Sequence, residues 1–311
     1  AMKSASASDM PVSNVFHIEL TRLVAKTQVK ISNMDVSKLG FSMAYPRFRV
    51  SQTCDKMRLK SNGTNVYDSF SNPSNGTYEG YTVVPVADYI NVVSGDFSAD
   101  NCHYLSENIV DKPVAGNTSF VTLVVALTPD SYYTYGYDGK ISISASTPVV
   151  AGNSFYAVGI VDKDNGLEDF TIDPETNHVI TFSTKNEADR YVNALNAGTA
   201  SAITVSESEV SFKVAAPKHA ATRSRQFESI LFTGGQAYYR INICDEDGNM
   251  KVERNKYYKI TVNSIKNLGF HSEELLRPLN PESDPENSSS AWIDVAFTVA
   301  PWDAVDQDVD L

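Results

Sequence analysis

Down this chain, β-branched and aromatic residues alternate with polar ones in stretches of strand length, separated by clusters of Gly, Asn, Asp, Ser and Pro. FVTLVVAL, KISISAS, NSFYAVGIV, HVITFS, ITVSESEVSFKVA, QAYYRINIC, KYYKITVNSI and WIDVAFTVA each read as a strand. A period of two sends successive side chains to opposite faces, so such runs are stable only in sheets with at least one covered face. Strands spaced this closely leave no room for regular crossover helices, which favours a sandwich over a doubly wound sheet. The expected class is mainly β: an antiparallel β-sandwich with one or two short helices and long loops.

In NVFHIELTRLVAKTQVKIS the apolar positions Phe16, Ile18 and Leu20 give way to Leu23, Ala25, Val29 and Ile31. That change of parity predicts one long strand with a bulge or bend near Thr21 and Arg22. STKNEADRYVNALNAG predicts the one clear helix. Thr184 and Glu187 form a capping-box pair, Ala188, Tyr191, Val192 and Leu195 make a stripe, and Gly198 supplies the stop. Residues 52–100, which contain SNGTNVYDSFSNPSNGTYEG, read as a decorated loop or an insertion on the sandwich. NLGFHSEELLRPLNPESDPENSSS is a second long loop, barred from a central strand by Pro278, Pro281 and Pro285.

The length of 311 residues suits two domains or one large sandwich and needs no covalent staples. With 26 basic against 38 acidic residues the net charge is −12. This argues against nucleic-acid or anionic-membrane partners, since both require a cationic face. No apolar run approaches the roughly 18 residues that cross a bilayer. AMKSASASDM has neither an apolar signal core nor a lipid-acceptor cysteine, so an export signal has been removed or was absent, and Ala1 ahead of Met2 reads as a cloning remnant. Cys54, Cys102 and Cys244 match no metal spacing. Cys54 and Cys102 could bridge in an oxidising compartment; three partly buried thiols is the plainer reading.

Catalytic constellations are hard to find. The five histidines, His17, His103, His178, His219 and His271, are scattered, and no nucleophile elbow is present. The carboxylates are too dispersed to single out a glycosidase pair. DKDNGLEDFTID sets Asp162, Asp164 and Asp173 in a calcium-like order, but Gly166 falls one position early for an EF-hand loop. Solvated turns explain it better, with a weak surface cation site as the minor option. Asp247-Gly248 marks a hairpin turn between QAYYRINIC and KYYKITVNSI. Asn62, Asn75, Asn117 and Asn287 begin N-x-S/T triplets, which carry little weight in an Asn- and Ser-rich chain. SYYTYGYDG gathers Tyr132, Tyr133, Tyr135 and Tyr137 near a turn. Two readings fit equally: an exposed adhesive loop for protein or carbohydrate, or strand-end tyrosines packed over a sandwich edge.

The chain ends in AWIDVAFTVAPWDAVDQDVDL. Ile293, Val295, Phe297 and Val299 line one face of a strand, Pro301 interrupts it, and Val305, Val309 and Leu311 resume an alternation against Asp306, Asp308 and Asp310. A terminal strand of this kind can be inserted into another molecule's sheet through main-chain hydrogen bonds, or it can pair at an edge of its own.

These residues resemble the type V pilins of Bacteroidales, the major fimbrillins and their accessory relatives. LTRLVAKTQVKI is similar to the strand that opens that family's second domain. AYYRINICDEDGNMKVERNKYYKITVNSIKNLGF is similar to its penultimate hairpin, with VERNKYY at 252–258, and AFTVAPWDAVDQDVDL to its terminal strand and Trp-containing tail. HYLSENI at 103–109 fits a fourth pattern. The resemblance implies a transthyretin-like, Greek-key sandwich over 1–300, a loop-rich insertion near 52–100, a donor-strand tail over 301–311, and absence of the family's N-terminal domain. It further implies an exported lipoprotein precursor, matured by an Arg-specific protease and polymerised by donor-strand exchange into an adhesive, biofilm-supporting surface fimbria. The donor residues would be Trp302, Val305, Val309 and Leu311. The expected protein is therefore a structural subunit with no catalytic residue, cofactor or metal, whose partners are other fimbrial subunits and a host or bacterial surface receptor. The alternatives are a tip or accessory adhesin binding a host protein or glycan through the loops at 52–100 and 131–139, and a secreted glycan-active enzyme.

Overall fold

The computed structural model describes residues 23–54, 81–85, 88–93, 95–97, 100–109, 113–162, 166–173, 175–200, 204–207, 210–213, 225–276 and 293–301. The first strands are β1 (Val24–Ile31), β2 (Phe41–Cys54), β3 (Tyr81–Pro85), β4 (Ile90–Asn91), β5 (His103–Ser106) and β6 (Phe120–Pro129). Then come β7 (Tyr133–Tyr135), β8 (Ile141–Ile143), β9 (Phe155–Asp162), β10 (Gly166–Phe170), β11 (Thr181–Phe182) and the helix α1 (Lys185–Asn196). The last part holds β12 (Thr204–Glu207), β13 (Val210–Lys213), β14 (Arg225–Phe232), β15 (Gln236–Asn242), β16 (Lys256–Ile265) and β17 (Ile293–Pro301). The fold is a mainly β sandwich, as the alternation predicts.

Two sheets enclose the main core. One runs β17-β16-β1-β5; the other runs β15-β6-β2-β3, with β4 also on β2. Ala25, Val29, Tyr258, Ile260 and Val262 from the first meet Phe48, Val50, Leu123, Val125 and Tyr239 from the second, all with at most 1% exposure. Burying one such side chain stabilises by about 1.5–3 kcal/mol before chain entropy is counted. A third sheet, β10-β9-β11 with β14 on the other side of β9, extends this core. Phe155 and Phe232 stack at 5.0 Å between ring centres, with Phe41 and Phe170 tilted against them. The alternate residues of β9, Val158 and Ile160, face α1 instead and pack with Ala188, Tyr191, Val192 and Leu195. This helix stripe is the one the sequence predicts. Thr184 accepts the Glu187 N–H and donates to the Glu187 carboxylate at 3.1 Å, and Gly198 takes the left-handed φ of 68°.

Several sequence expectations need correction. The sandwich is not wholly antiparallel: β1 runs parallel to β16 and antiparallel to β5. QAYYRINIC and KYYKITVNSI are not a hairpin, because β15 pairs with β6 in one sheet while β16 pairs with β1 and β17 in the other. The turn itself exists. Asp245 accepts main-chain N–H groups from Asp247 and Asn249, and Gly248 sits at φ 83°. It carries the chain between sheets and does not fold one back on itself. ITVSESEVSFKVA forms two paired strands, β12 and β13, in place of one. The segment 52–100 contributes β3 and β4, both paired with β2. The bend expected at Thr21 and Arg22 lies outside the described residues.

A Cβ at Gly248 would meet no neighbour, so the positive φ is what opposes a side chain there. Gly248→Val is expected to destabilise by about 1 kcal/mol. Gly235 also has a positive φ, 68°, and a Cβ there would strike the Leu127 carbonyl. Gly235→Ala should cost more than Gly248→Val in urea denaturation; equal effects would show that the close backbone approach at Gly235 relaxes.

Candidate functional site

The four stretches singled out in the sequence form one sheet. HYLSENI supplies β5, LTRLVAKTQVKI supplies β1, the VERNKYY region leads into β16, and the terminal run supplies β17, in the order β17-β16-β1-β5. Their ends are tied as well. Asn108 and Val252 exchange two main-chain hydrogen bonds of 2.8 Å, and the Asn255 N–H donates to the Val24 carbonyl at 3.1 Å. Arg254 donates from Nε to Glu107 Oε2 at 3.0 Å and from its main-chain N–H to Oε1 at 3.3 Å. The two side chains are only 13% and 5% exposed. A pair this shielded has geometry fixed by its hydrogen bonds, because either charge alone would be costly there.

Gln28, fully buried in β1, accepts from the Tyr257 hydroxyl and donates to the main-chain oxygens of Asp100 and Asn101. Lys26 lies 4.5 Å from the centre of the Tyr257 ring. A polar seam thus runs across the sheet from β16 to the segment before β5.

β17 is the border strand of this sheet. Ile293 is buried and Val295, Phe297 and Val299 are partly buried against the core, while Asp294, Ala296 and Thr298 are exposed, as the alternation predicts. Among the described residues its ladder partner is β16. The Val299 N–H donates to Glu246 at 3.2 Å, so one of the border donors is taken by a side chain from the β15–β16 connection. Trp302, Val305, Val309 and Leu311 lie outside the described residues.

The tyrosine loop divides. Tyr132 and Tyr133 are each 3% exposed, whereas Tyr137 is 99% exposed. β7 and β8 make a small hairpin whose turn is closed by the Gly136 N–H to the Lys140 carbonyl at 2.9 Å. The Tyr133 hydroxyl donates to Asp173 at 3.1 Å, and burial pushes it up to about 12. Tyr135 packs against Tyr191 of α1. Arg190, which the sequence reading passed over, donates to the Tyr135 carbonyl at 2.6 Å and stands 4.4 Å from the centre of the Tyr137 ring. Tyr132 and Tyr133 are thus buried, and the exposed surface of the loop is Tyr137 with a partly covered Tyr135.

Asp173 and Asp245 each serve in a turn. Asp173 accepts from the Glu175 N–H as well as from Tyr133, and Asp164 lies outside the described residues. Among the described residues no group of three His, Cys, Asp or Glu could hold a metal. Asn117, from one of the four triplets, is 2% exposed and accepts the Val114 N–H, so it is a structural residue. Cys102 and Cys244 are thiols, which leaves no Cys54–Cys102 bridge. Burial, with Asp245 nearby, pushes Cys244 up to about 11. Burial also lowers His103, whose ring meets Phe48 edge-on at 5.2 Å, and His271, set against Phe232.

Residues 230–308 match the family model of the major fimbrial subunit protein type IV, fimbrillin, C-terminal. The match begins inside β14 and takes in β15, β16 and β17. A solved structure from Bacteroides eggerthii DSM 20697, described as a cell-adhesion candidate, aligns with 10% identity over 92% of this chain and 97% of that one. Its TM-score is 0.16, so it carries no argument about the fold. No curated protein matches the chain.

Removing one partner of the shielded pair leaves a buried charge. Arg254→Met should destabilise by about 3–5 kcal/mol, and adding Glu107→Leu should recover most of the loss, which a double-mutant cycle in urea reads directly. The two lowered histidines set a pH dependence. Between their ordinary value of 6.5 and the lower folded values, the unfolded chain takes up protons that the folded chain refuses. Stability is therefore full above about pH 6.5 and falls as pH drops below it. Replacing His103 and His271 together by Gln should flatten that part of the melting-temperature profile.

Proposed function

We propose that this chain, a fimbrillin by its C-terminal region over residues 230–308, is a structural subunit of a bacterial surface fimbria that polymerises by donor-strand exchange through its tail. The family match is the observation that carries the reading. The placement of β17 supports it: a border strand with one apolar face leads straight into a segment whose alternation resumes at Val305, Val309 and Leu311. Donor strands take affinity from main-chain hydrogen bonds and register from alternate apolar side chains, and that pattern is present after Pro301.

On this reading the chain works at the cell surface, exported as a lipoprotein precursor, and its partners are neighbouring pilins and a surface receptor. Adhesion and biofilm formation follow from the polymer. The function is structural and needs no catalytic group or cofactor. A second reading, an accessory adhesin, draws on Tyr137, held outward over Arg190 on a hairpin anchored by α1.

Deleting residues 302–311, or making Val309→Asp, should abolish polymer growth in electron micrographs while the monomer melts within a few degrees of the wild type. A large loss of monomer stability would place the tail in its own core and remove the donor-strand reading. Tyr137→Ala should leave both assembly and melting unchanged; loss of cell adhesion by that variant alone would favour the adhesin.

A further inference from the structure

The ladder between β2 and β6 is broken at one point. It runs from Phe41 to Ala44, breaks, and resumes at Arg47, so Tyr45 and Pro46 together oppose a single residue of β6. Tyr45 sits at φ 49°, a left-handed conformation that a bulky side chain rarely adopts, and it is 78% exposed. Bulges and strain of this kind re-aim side chains and persist where surrounding structure holds them. Here the fault turns an aromatic face outward and opens a cleft of about 360 Å³ beside it, lined by Tyr45, Arg47, Asn91, Val125, Gly234 and Gln236 among others.

Arg47 is the unusual member. Its neighbour two residues on, Arg49, is neutralised by Glu273, which accepts from Nε at 2.9 Å. Both guanidinium groups lie over the Tyr89 ring, at 4.2 Å for Arg49 and 5.6 Å for Arg47. Among the described residues, however, no carboxylate lines the cleft beside Arg47, and its Nε is buried without a hydrogen-bond partner. In a chain of net charge −12, an arginine left unneutralised in a cleft is an unmet demand for an anion.

We propose that this cleft binds a carboxylated sugar, with Arg47 holding the carboxylate, Tyr45 covering one ring face, and the Asn91 and Gln236 amides taking hydroxyl groups. The volume lies near the lower end of small-ligand pockets, roughly 300–1,000 Å³. An acidic peptide fits less well. β6, which lines the cleft with Val124, Val125 and Ala126, is paired by β2 on one side and β15 on the other, so an extended chain finds no free strand edge there. The cleft is lined by neither β17 nor the tyrosine hairpin, and the proposal does not rest on the subunit polymerising as proposed.

The test is an amide-shift titration of the whole chain with sodium glucuronate, glucose and sodium acetate. Glucuronate should shift the signals of Tyr45, Arg47 and Asn91 and bind at least tenfold more tightly than either of the others. Arg47→Gln should lose at least tenfold in that affinity, Tyr45→Ala several-fold, and binding should weaken as salt is raised. Arg47→Lys, which keeps the charge but not the planar fork, should fall between Arg47→Gln and the wild type, and unchanged melting temperatures would exclude misfolding as the cause. Equal binding of glucose and glucuronate, equal binding of acetate and glucuronate, or full affinity in Arg47→Gln would overturn the proposal. So would preferential binding of an acidic hexapeptide.

Discussion

The sandwich depends on where β1 is held. It lies between β16 and β5, with Ala25 to Val29 buried on both faces of the strand, and it joins a segment near residue 24 to one more than 200 residues later. Such a contact closes a very long loop, and its entropic cost grows only slowly with length. The covering side chains, chiefly Tyr258, Ile260 and Val262 on β16, must still supply enough burial to offset it. Once β1 is seated, the border strand β17 has a completed β16 to pair with, and the second sheet has a surface to close upon.

That seat is specified by polar as well as apolar groups. Thr27 and Gln28 are fully buried within the strand, and Gln28 is satisfied from both sides, by Tyr257 and by the main chain near Asn101. Shifting β1 by one residue would leave Gln28 without its partners and turn the strand's apolar set around. The Arg254–Glu107 pair adds a further restraint at the end of the same sheet. Polar contacts of this sort contribute less to total stability than to the choice of one register over its neighbours.

Much of this was legible from side-chain period alone. FVTLVVAL, NSFYAVGIV and WIDVAFTVA appear as β6, β9 and β17 because one face of each meets the core, and α1 follows its caps and stripe. β2 is not among those runs; it carries Pro46 in a bulge, where the missing donor is not needed. The supposed hairpin at Gly248 failed because a turn signal states that the chain reverses, not which sheet each arm joins. The parallel pairing of β1 with β16 has no local signature at all. Of the site residues, the tyrosine cluster was visible but its division into buried and exposed members depended on α1 and Asp173, which are distant in sequence. The setting of Arg47 was invisible for the same reason: that no carboxylate among the described residues lines its cleft is a property of the assembled surface.

The geometry of the border strand has a mechanical side. β17 lies antiparallel to β16 over nine register pairs, with ladder bonds perpendicular to both strands. Tension drawn along the chain through Pro301 would therefore act in shear, straining many rungs together before any one parts, in contrast to peeling from a free corner. If the chain polymerises through its tail as proposed, a filament under flow would be pulled in that direction, and a subunit whose exit strand is loaded lengthwise would resist rupture far better than its modest hydrogen bonds, taken singly, suggest.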